Sequence, residues 1–345
     1  MREQKMPKDT LYNSPSYYDV AIIGAGLSGS LCAQQLSRMG WSVCVIEKSR
    51  GSGGRASSKH LDQNTSCELG TPFISIHHKD TKPLFASLVE QGIAAYWPDA
   101  QAYVGIPKMS AITRHWLTNS DLITNTRINS LEQIDYVEQG SLATTDIWRL
   151  YDEQHQAIAQ AKFLIVTIPA SQAVTLLSTT QQIDELIACA HQAAQTTQPQ
   201  WAMCLDTEQS TLPPILIPKS STLQRLVKDS AKPNRRQGHN GSERWVIQAS
   251  PEWTQHYLDE DKNTIATLLI QAFFHETQLI PKKTSEPHRW LLARTDVYNH
   301  QQPFMWHSPK NIGLAGDWLC QGDAEGALIS ALGLCDYLNQ MRITR

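Results

Sequence analysis

Short apolar runs alternate with amphipathic segments along the chain, and the alternation predicts a layered fold. Val20 to Ile23 is an unbroken apolar run, the pattern of a strand buried on both faces of a parallel sheet. It leads into Gly24-x-Gly26-x-x-Gly29, after which Leu27, Leu31 and Leu36 fall on roughly one face of a helix. A second strand, Trp41 to Ile46, ends on Glu47. Residues 81–92 predict a helix closed by Gly92, and Ala111 to Leu117 predicts another with Ser110 as its N-cap. Strand patterns follow at 122–128, 147–151 and 163–168, the last ended by Pro169. Further strands are expected at 201–206, 215–218, 245–249 and 287–293. Between them Ile265, Leu268, Leu269, Ala272 and Phe273 form the stripe of a helix lying on a sheet. A short apolar strand at 311–315 and a helix to about Met341 close the chain.

The first of these units carries chemistry. In a strand–turn–helix context Gly24 permits the tight turn, Gly26 lets a pyrophosphate approach the backbone, and Gly29 lets helix and strand pack closely. Ala25, Leu27 and Ser28 complete the turn, and the helix start offers free N–H groups to phosphate. Glu47 lies 21 residues beyond Gly26, where this motif places an acid against ribose hydroxyls. Lys48 follows it, and the loop to Gly54 and Arg55 ends on a guanidinium suited to paired bonds with pyrophosphate. The basic stretch from Lys228 to Gly241 reads as a solvated loop, with contact to substrate phosphates as the sharper alternative.

Composition narrows the class. A chain of 345 residues, 41% hydrophobic, has room for two domains, and a net charge of −3 argues against nucleic acid as partner. Seven cysteines without a CxxC suit reduced core thiols in a cytoplasmic protein rather than a disulfide or metal framework. Residues 1–17 read as a flexible N-terminal extension without a signal peptide, and no apolar run is long enough to span a membrane.

Glu-Lys followed by Gly-Gly-Arg resembles FAD-dependent oxidases and dehydrogenases more than NAD dehydrogenases. Gly316-Asp317 and Glu325-Gly326-Ala327 at a helix start resemble a second flavoprotein signature. Under it Asp317 would meet ribitol or pyrophosphate, Gly326 would admit the ring, and the helix N-terminus would face flavin N1 and O2. Glu68 to Ile74, with Pro72 and Phe73, would return to the isoalloxazine end, and Arg127 or Ile128 would pass the adenine end.

The whole chain after residue 17 resembles renalase and its bacterial relatives, within the amine-oxidase-like flavoproteins. The carriers include IIGAGLSGSLCA (22–33), YVGIPKMSAITRHWL (103–117), RWVIQASPEWTQHYLDED (244–261), PHRWLLA (287–293) and AGDWLCQGDAEGALISAL (315–332). The resemblance implies non-covalent FAD and hydride transfer to flavin N5 from a 2- or 6-dihydro isomer of NAD(P)H. Reoxidation by O2 would give NAD(P)+ and H2O2. No separate acid–base constellation is needed, because a dihydropyridine expels hydride itself; His288, Arg289 and Trp290 are the candidates to face substrate. Thr71-Pro72-Phe73 stands where that family has Ala-Gln-Tyr, and Asn234 where it commonly has Gly. An amine oxidase or other small-molecule oxidoreductase on the same scaffold is the alternative, and a flavin-binding protein of low turnover a third.

The expected architecture is an α/β chain: a glycine-rich, Rossmann-like FAD-binding domain (18–75, 119–175 and 295–345) with an inserted substrate domain (76–118 and 176–294). The insert would be an antiparallel sheet covered by helices, its open face roofing the flavin.

Overall fold

The computed structural model describes residues 15–61, 65–137, 144–235, 241–296 and 302–343. Its α-helices in chain order are α1 (Leu27–Arg38), α2 (Thr81–Glu90), α3 (Ser110–Trp116), α4 (Ala170–Leu177), α5 (Asp184–Gln195), α6 (Pro251–His256), α7 (Lys262–Thr277) and α8 (Ala324–Ile343). They cover two large sheets, beside two short two-stranded ones (Lys59–His60 with Ser66–Cys67, and Ala94–Trp97 with Ala102–Gly105). In the first, Ile312–Ala315, Ala157–Val166, Tyr17–Ile23, Val43–Ile46 and Asp121–Ile123 run parallel in that spatial order. Phe304–His307 adds an antiparallel edge, and Ile128–Val137 with Thr144–Asp152 forms an antiparallel extension.

The unbroken apolar runs reflect cover on both sides. Val20, Ile22, Val43 and Val45 point into a core shared with α1 and α8, through residues such as Leu31 and Leu328. Ala21, Ile23, Cys44 and Ile46 point the other way, against Ala173 and Leu177 of α4 and Leu186 and Ala190 of α5. The period of two sorts one strand into two cores.

The second sheet is antiparallel, ordered Ile215–Leu216, Leu223–Lys228, Glu243–Ala249, Thr197–Thr207, with Lys283–Thr284 and His288–Thr295 both paired to Thr197–Thr207. Trp201, Met203, Trp245 and Ile247 face α7, where Ile265, Leu269 and Phe273 are fully buried. Asp261 caps that helix by accepting from the N–H groups of Asn263 and Thr264. Ala202, Cys204, Val227 and Val246 face the core on the first sheet's side.

Several expectations shift. The boundary after residue 175 falls within α4, and α5 packs beside α4 on the first sheet, whose second face would otherwise be bare. The segment 76–118 buries Phe85, Leu88, Ile112 and Trp116 in the core that holds α1 and α8, to which Ala202, Cys204, Val227 and Val246 of the second sheet also contribute. The strand expected over 122–128 is broken, because Asn125 takes a left-handed φ of 54° and turns the chain. At the N-terminus, the first strand already starts at Tyr17, inside the expected 1–17 extension; residues 1–14 lie outside the described residues. All seven cysteines are free thiols, and no described helix is long and apolar enough to cross a membrane.

Candidate functional site

The carboxyl ends of the parallel strands open into a cleft of about 900 Å³, toward the upper end of the range for ligand sites. Open parallel sheets bind their ligands at this end. Gly24, Gly26, Leu27 and Ser28 form its floor, Glu47 and Lys48 one wall, and Gly54 and Arg55 another. Gly24 has φ +106°, and a Cβ on Gly29 would lie 1.9 Å from the Gly24 carbonyl oxygen, so these two glycines make the turn and the close packing. Gly26 differs: a Cβ there would meet nothing within 4 Å, so the space over it is open to the cleft. No side chain caps the start of α1, which leaves first-turn N–H groups directed at that space. The α8 start adjoins it, since Ser28 Oγ donates to the Ala327 carbonyl at 2.8 Å and both residues line the cleft. The uncapped α1 start over an open glycine floor fits a dinucleotide diphosphate, whereas the α8 start beside it is capped, Gly326 N donating to Asp323 Oδ1 at 2.8 Å.

Glu47 is buried and takes two backbone donors, Ala25 N at 2.9 Å and Ser49 N at 2.8 Å. It therefore braces the turn while lining the cleft; Ala25 contributes only backbone. Lys48 Nζ donates to Gln172 Oε1 at 3.0 Å, and burial followed by the charge of Arg127 lowers its pKa. Arg127 and Ile128 lie on the same wall. Thr167, Ile168 and Pro169 complete the floor. No local sequence signal marks these three as cleft residues; Thr167 Oγ1 donates to the carbonyls of Ile23 and Gly24 at 3.0 Å each.

Arg55 and Asp317 both line the cleft, but they face each other. The guanidinium grips the carboxylate at 2.5 and 2.8 Å and donates to the Ala293 carbonyl at 3.2 Å. Burial opposes the Arg55 charge, and Asp317 overcomes it, so its pKa is raised. Three segments distant in sequence thus meet at one ion pair.

Several expected cofactor contacts are built differently. Glu325 does not line the cleft: Oε1 accepts from His77 N and His78 N at 2.7 Å each and from Thr81 Oγ1 at 2.6 Å, stabilising the start of α2. A Cβ on Gly326 would lie 1.8 Å from the Cys320 carbonyl oxygen, so that glycine makes room for protein backbone rather than a ring. Gly316 is likewise absent from the cleft wall and gives its N–H to Ser330 Oγ. In the 68–74 segment Thr71 reaches the cleft, whereas Pro72 is buried and Phe73 packs edge-on against Trp97 at 6.1 Å.

The last strand of the second sheet supplies the far wall. His288 and Trp290 share a face, their rings 4.5 Å apart, and Trp290 reaches Gly70. Burial, then Lys59 and Lys262, lowers the His288 pKa, so the imidazole is neutral near pH 7. Arg289 also belongs to the cleft lining, but its side chain turns to the opposite face from His288 and Trp290, donating to the Leu258 carbonyl at 2.6 Å and lying 5.6 Å from the Trp201 ring centre.

In the described part of the basic stretch, Lys228, Lys232 and Arg235 are held by partners within the protein rather than solvated. Lys228 pairs with Glu243 at 2.8 Å, and Lys232, fully buried, reaches Glu68 at 2.7 Å and Asp229 at 2.5 Å. Arg235 donates to the Gly105 carbonyl at 3.0 Å and lies 3.4 Å from Glu68. Arg236 lies outside the described residues. The cluster joins Glu68, two residues before Gly70, to the second sheet.

A sequence profile described as an NAD(P)-binding Rossmann-like domain matches residues 22–89. The protein FLOWERING LOCUS D of Arabidopsis thaliana is 42% identical over 57 residues, which is 16% of this chain; the match spans 7% of that protein's length. Among solved structures, a putrescine oxidase triple mutant from a redesign of cofactor binding aligns over 95% of this chain and 100% of its own, at TM-score 0.66 and 12% identity. Cyclohexylamine oxidase from Brevibacterium oxydans aligns over 93% of this chain and 99% of its own, at TM-score 0.65 and 11% identity. This chain shares the fold of those two oxidases. It is a mixed α/β fold with a Rossmann-like dinucleotide-binding unit.

Proposed function

We propose that the protein is an FAD-dependent, renalase-like oxidase acting on a dihydronicotinamide isomer of NAD(P)H. One observation carries the reading: the uncapped α1 start and the open Gly26 floor offer a diphosphate cradle, and the His288–Trp290 wall lines the same cleft. Bound there, FAD would supply a hydride acceptor at N5 and a route for electrons to O2. The protein's own work is placement. Gly26, Leu27 and Ser28 would hold the diphosphate, and Glu47 and Lys48 would lie along the ribose end. Trp290, with the neutral His288 imidazole set edge-on to it at an interplanar angle of 73°, offers an uncharged aromatic wall for a planar ring, which suits a substrate needing orientation and exclusion of water more than a proton acceptor.

The names of the structural neighbours favour a second reading, oxidation of an amine, on the same fold. In either case the cofactor would be non-covalent: Cys320, next to the 317–319 turn, has its thiol pushed up to about 11 by burial and by Asp323 and Glu325, leaving little thiolate for bond formation. Acid precipitation of purified yellow protein is expected to release all flavin to the supernatant as FAD. Colour retained in the pellet, or release of a different cofactor, would overturn this part of the proposal.

A further inference from the structure

The second sheet keeps most of its buried cations in matched pairs: Lys228 with Glu243, Arg244 with Asp206, Lys232 with Glu68 and Asp229. Arg225 breaks the pattern. It lies opposite Gln248 on the neighbouring strand, two residues before Val227, and so on the face turned to the first sheet. The Gln248 amide donates to the carbonyls of Leu69 and Gly70 at 3.0 and 2.7 Å, which presses this face against the segment bringing Thr71 to the cleft. The Arg225 guanidinium lies 5.0 Å from the centre of the Phe73 ring, two residues beyond Thr71. Among the described residues it has no ion pair and no hydrogen-bond acceptor for its side chain.

A second arginine acts on it. The pKa of Arg225 is lowered by burial and then by the charge of Arg294, so the two guanidinium groups repel. Arg294 follows Ala293, which lines the cleft, and its charge is also felt by the cleft residue Asp323 without forming an ion pair. An arginine half-buried on an aromatic face without an acceptor, with the charge of a second arginine reaching it, costs free energy unless an anion joins them. A fork of planar donors suits phosphate oxygens in particular.

We propose that Arg225 and Arg294 form an anion subsite beside the cleft that holds the phosphates of the substrate, making that substrate a nucleotide rather than an amine. This rests on the dihydronicotinamide reading for the ring half of the substrate, while the anion subsite is testable without turnover.

The probe is ADP-ribose, which carries the diphosphate and lacks the nicotinamide ring, titrated into holoprotein by calorimetry. Arg225→Gln is expected to weaken its binding about 10- to 100-fold, the range for losing one or two charge-assisted bonds. Arg294→Gln is expected to weaken it less, being more exposed, and serves as the second variant if Arg225→Gln does not fold. In flavin reduction, Arg225→Gln should raise the half-saturating concentration of the dihydronicotinamide nucleotide while leaving reduction by the phosphate-free riboside within about twofold. Unchanged ADP-ribose affinity in both variants would overturn the subsite, and so would equal losses with nucleotide and riboside. If ADP-ribose binding depends on Arg225 but no dihydronicotinamide reduces the flavin, the subsite stands and the ring chemistry falls.

Discussion

Replacing Lys232 with methionine is expected to destabilise the protein by about 3–5 kcal/mol, the cost of leaving buried charge without its partner. Glu68 and Lys232 are fully buried and Asp229 nearly so, and a single ammonium lies within 2.7 Å of both carboxylates. With methionine there, Arg235, 3.4 Å from Glu68, is the one cation left to the cluster among the described residues, beside neutral donors to Glu68 from Ser58 Oγ and Met109 N. Denaturant midpoints read the loss; a midpoint within error of the wild type would contradict it. The same cluster predicts a pH signature. Burial, against the opposing charge of Lys232 and with Glu68 beside it, holds the Asp229 carboxyl at about 6, above its ordinary 3.8. Between those values the folded protein binds the proton more tightly than the unfolded chain does. The Asp229 contribution to stability is therefore full below the lower value and is lost as pH rises through about 6. Glu68, held well below the usual carboxylate range by Lys232 and Arg235 despite burial, works in the opposite sense, losing its contribution as pH falls below about its ordinary value of 4.5. The difference in melting temperature between wild type and Asp229→Asn should accordingly change between pH 7 and pH 5, in favour of the wild type at the lower pH. A constant difference would refute the assignment.

Arg55→Ala is expected to yield largely colourless protein with stability reduced by about 2–3 kcal/mol, below the full cost of a broken buried pair because the Arg55 side chain is 29% exposed. Without the guanidinium, Asp317 is left buried and unpaired, and the glycine-rich loop loses its tie to Ala293 on the second sheet. Asp317→Asn separates the two roles Arg55 could play. If Arg55 serves by gripping Asp317, this variant loses cofactor as severely; if Arg55 serves by gripping phosphate, it keeps its colour. Full flavin occupancy in Arg55→Ala would remove Arg55 from the binding machinery altogether.

The parts of this molecule legible in its sequence are those whose causes are local. Gly24 and Gly29 are demanded by a turn and a contact within a few residues, so the motif reads directly. The apolar runs announce a sheet covered on both faces because each strand meets both cores. What failed to read is pairing across the chain. Arg55 and Asp317 were each expected to wait for a ligand, yet they lie 262 residues apart in sequence and meet each other. Glu325 looked like part of a flavin signature, but its carboxylate serves backbone N–H groups nearly 250 positions away. The charge run after Lys228 looked solvated because its partners, Glu243 excepted, were not on the same stretch of chain or, like Asp229, too close to suggest burial. Arg289 and Trp290 are adjacent, and strand alternation alone sends them to opposite faces; a period-two reading of His288–Thr295 would have separated them.

The most direct test of the account is anaerobic stopped-flow mixing of the yellow protein with borohydride-reduced NAD+, which contains the 2- and 6-dihydro isomers beside ordinary NADH. The proposal predicts rapid bleaching of the flavin band by the minor isomers, slow bleaching by purified NADH, and recovery of the band in air with formation of peroxide. Bleaching by an amine and by none of the dihydronicotinamides would contradict it, and a band untouched by any donor would mark a protein that binds flavin without turning over.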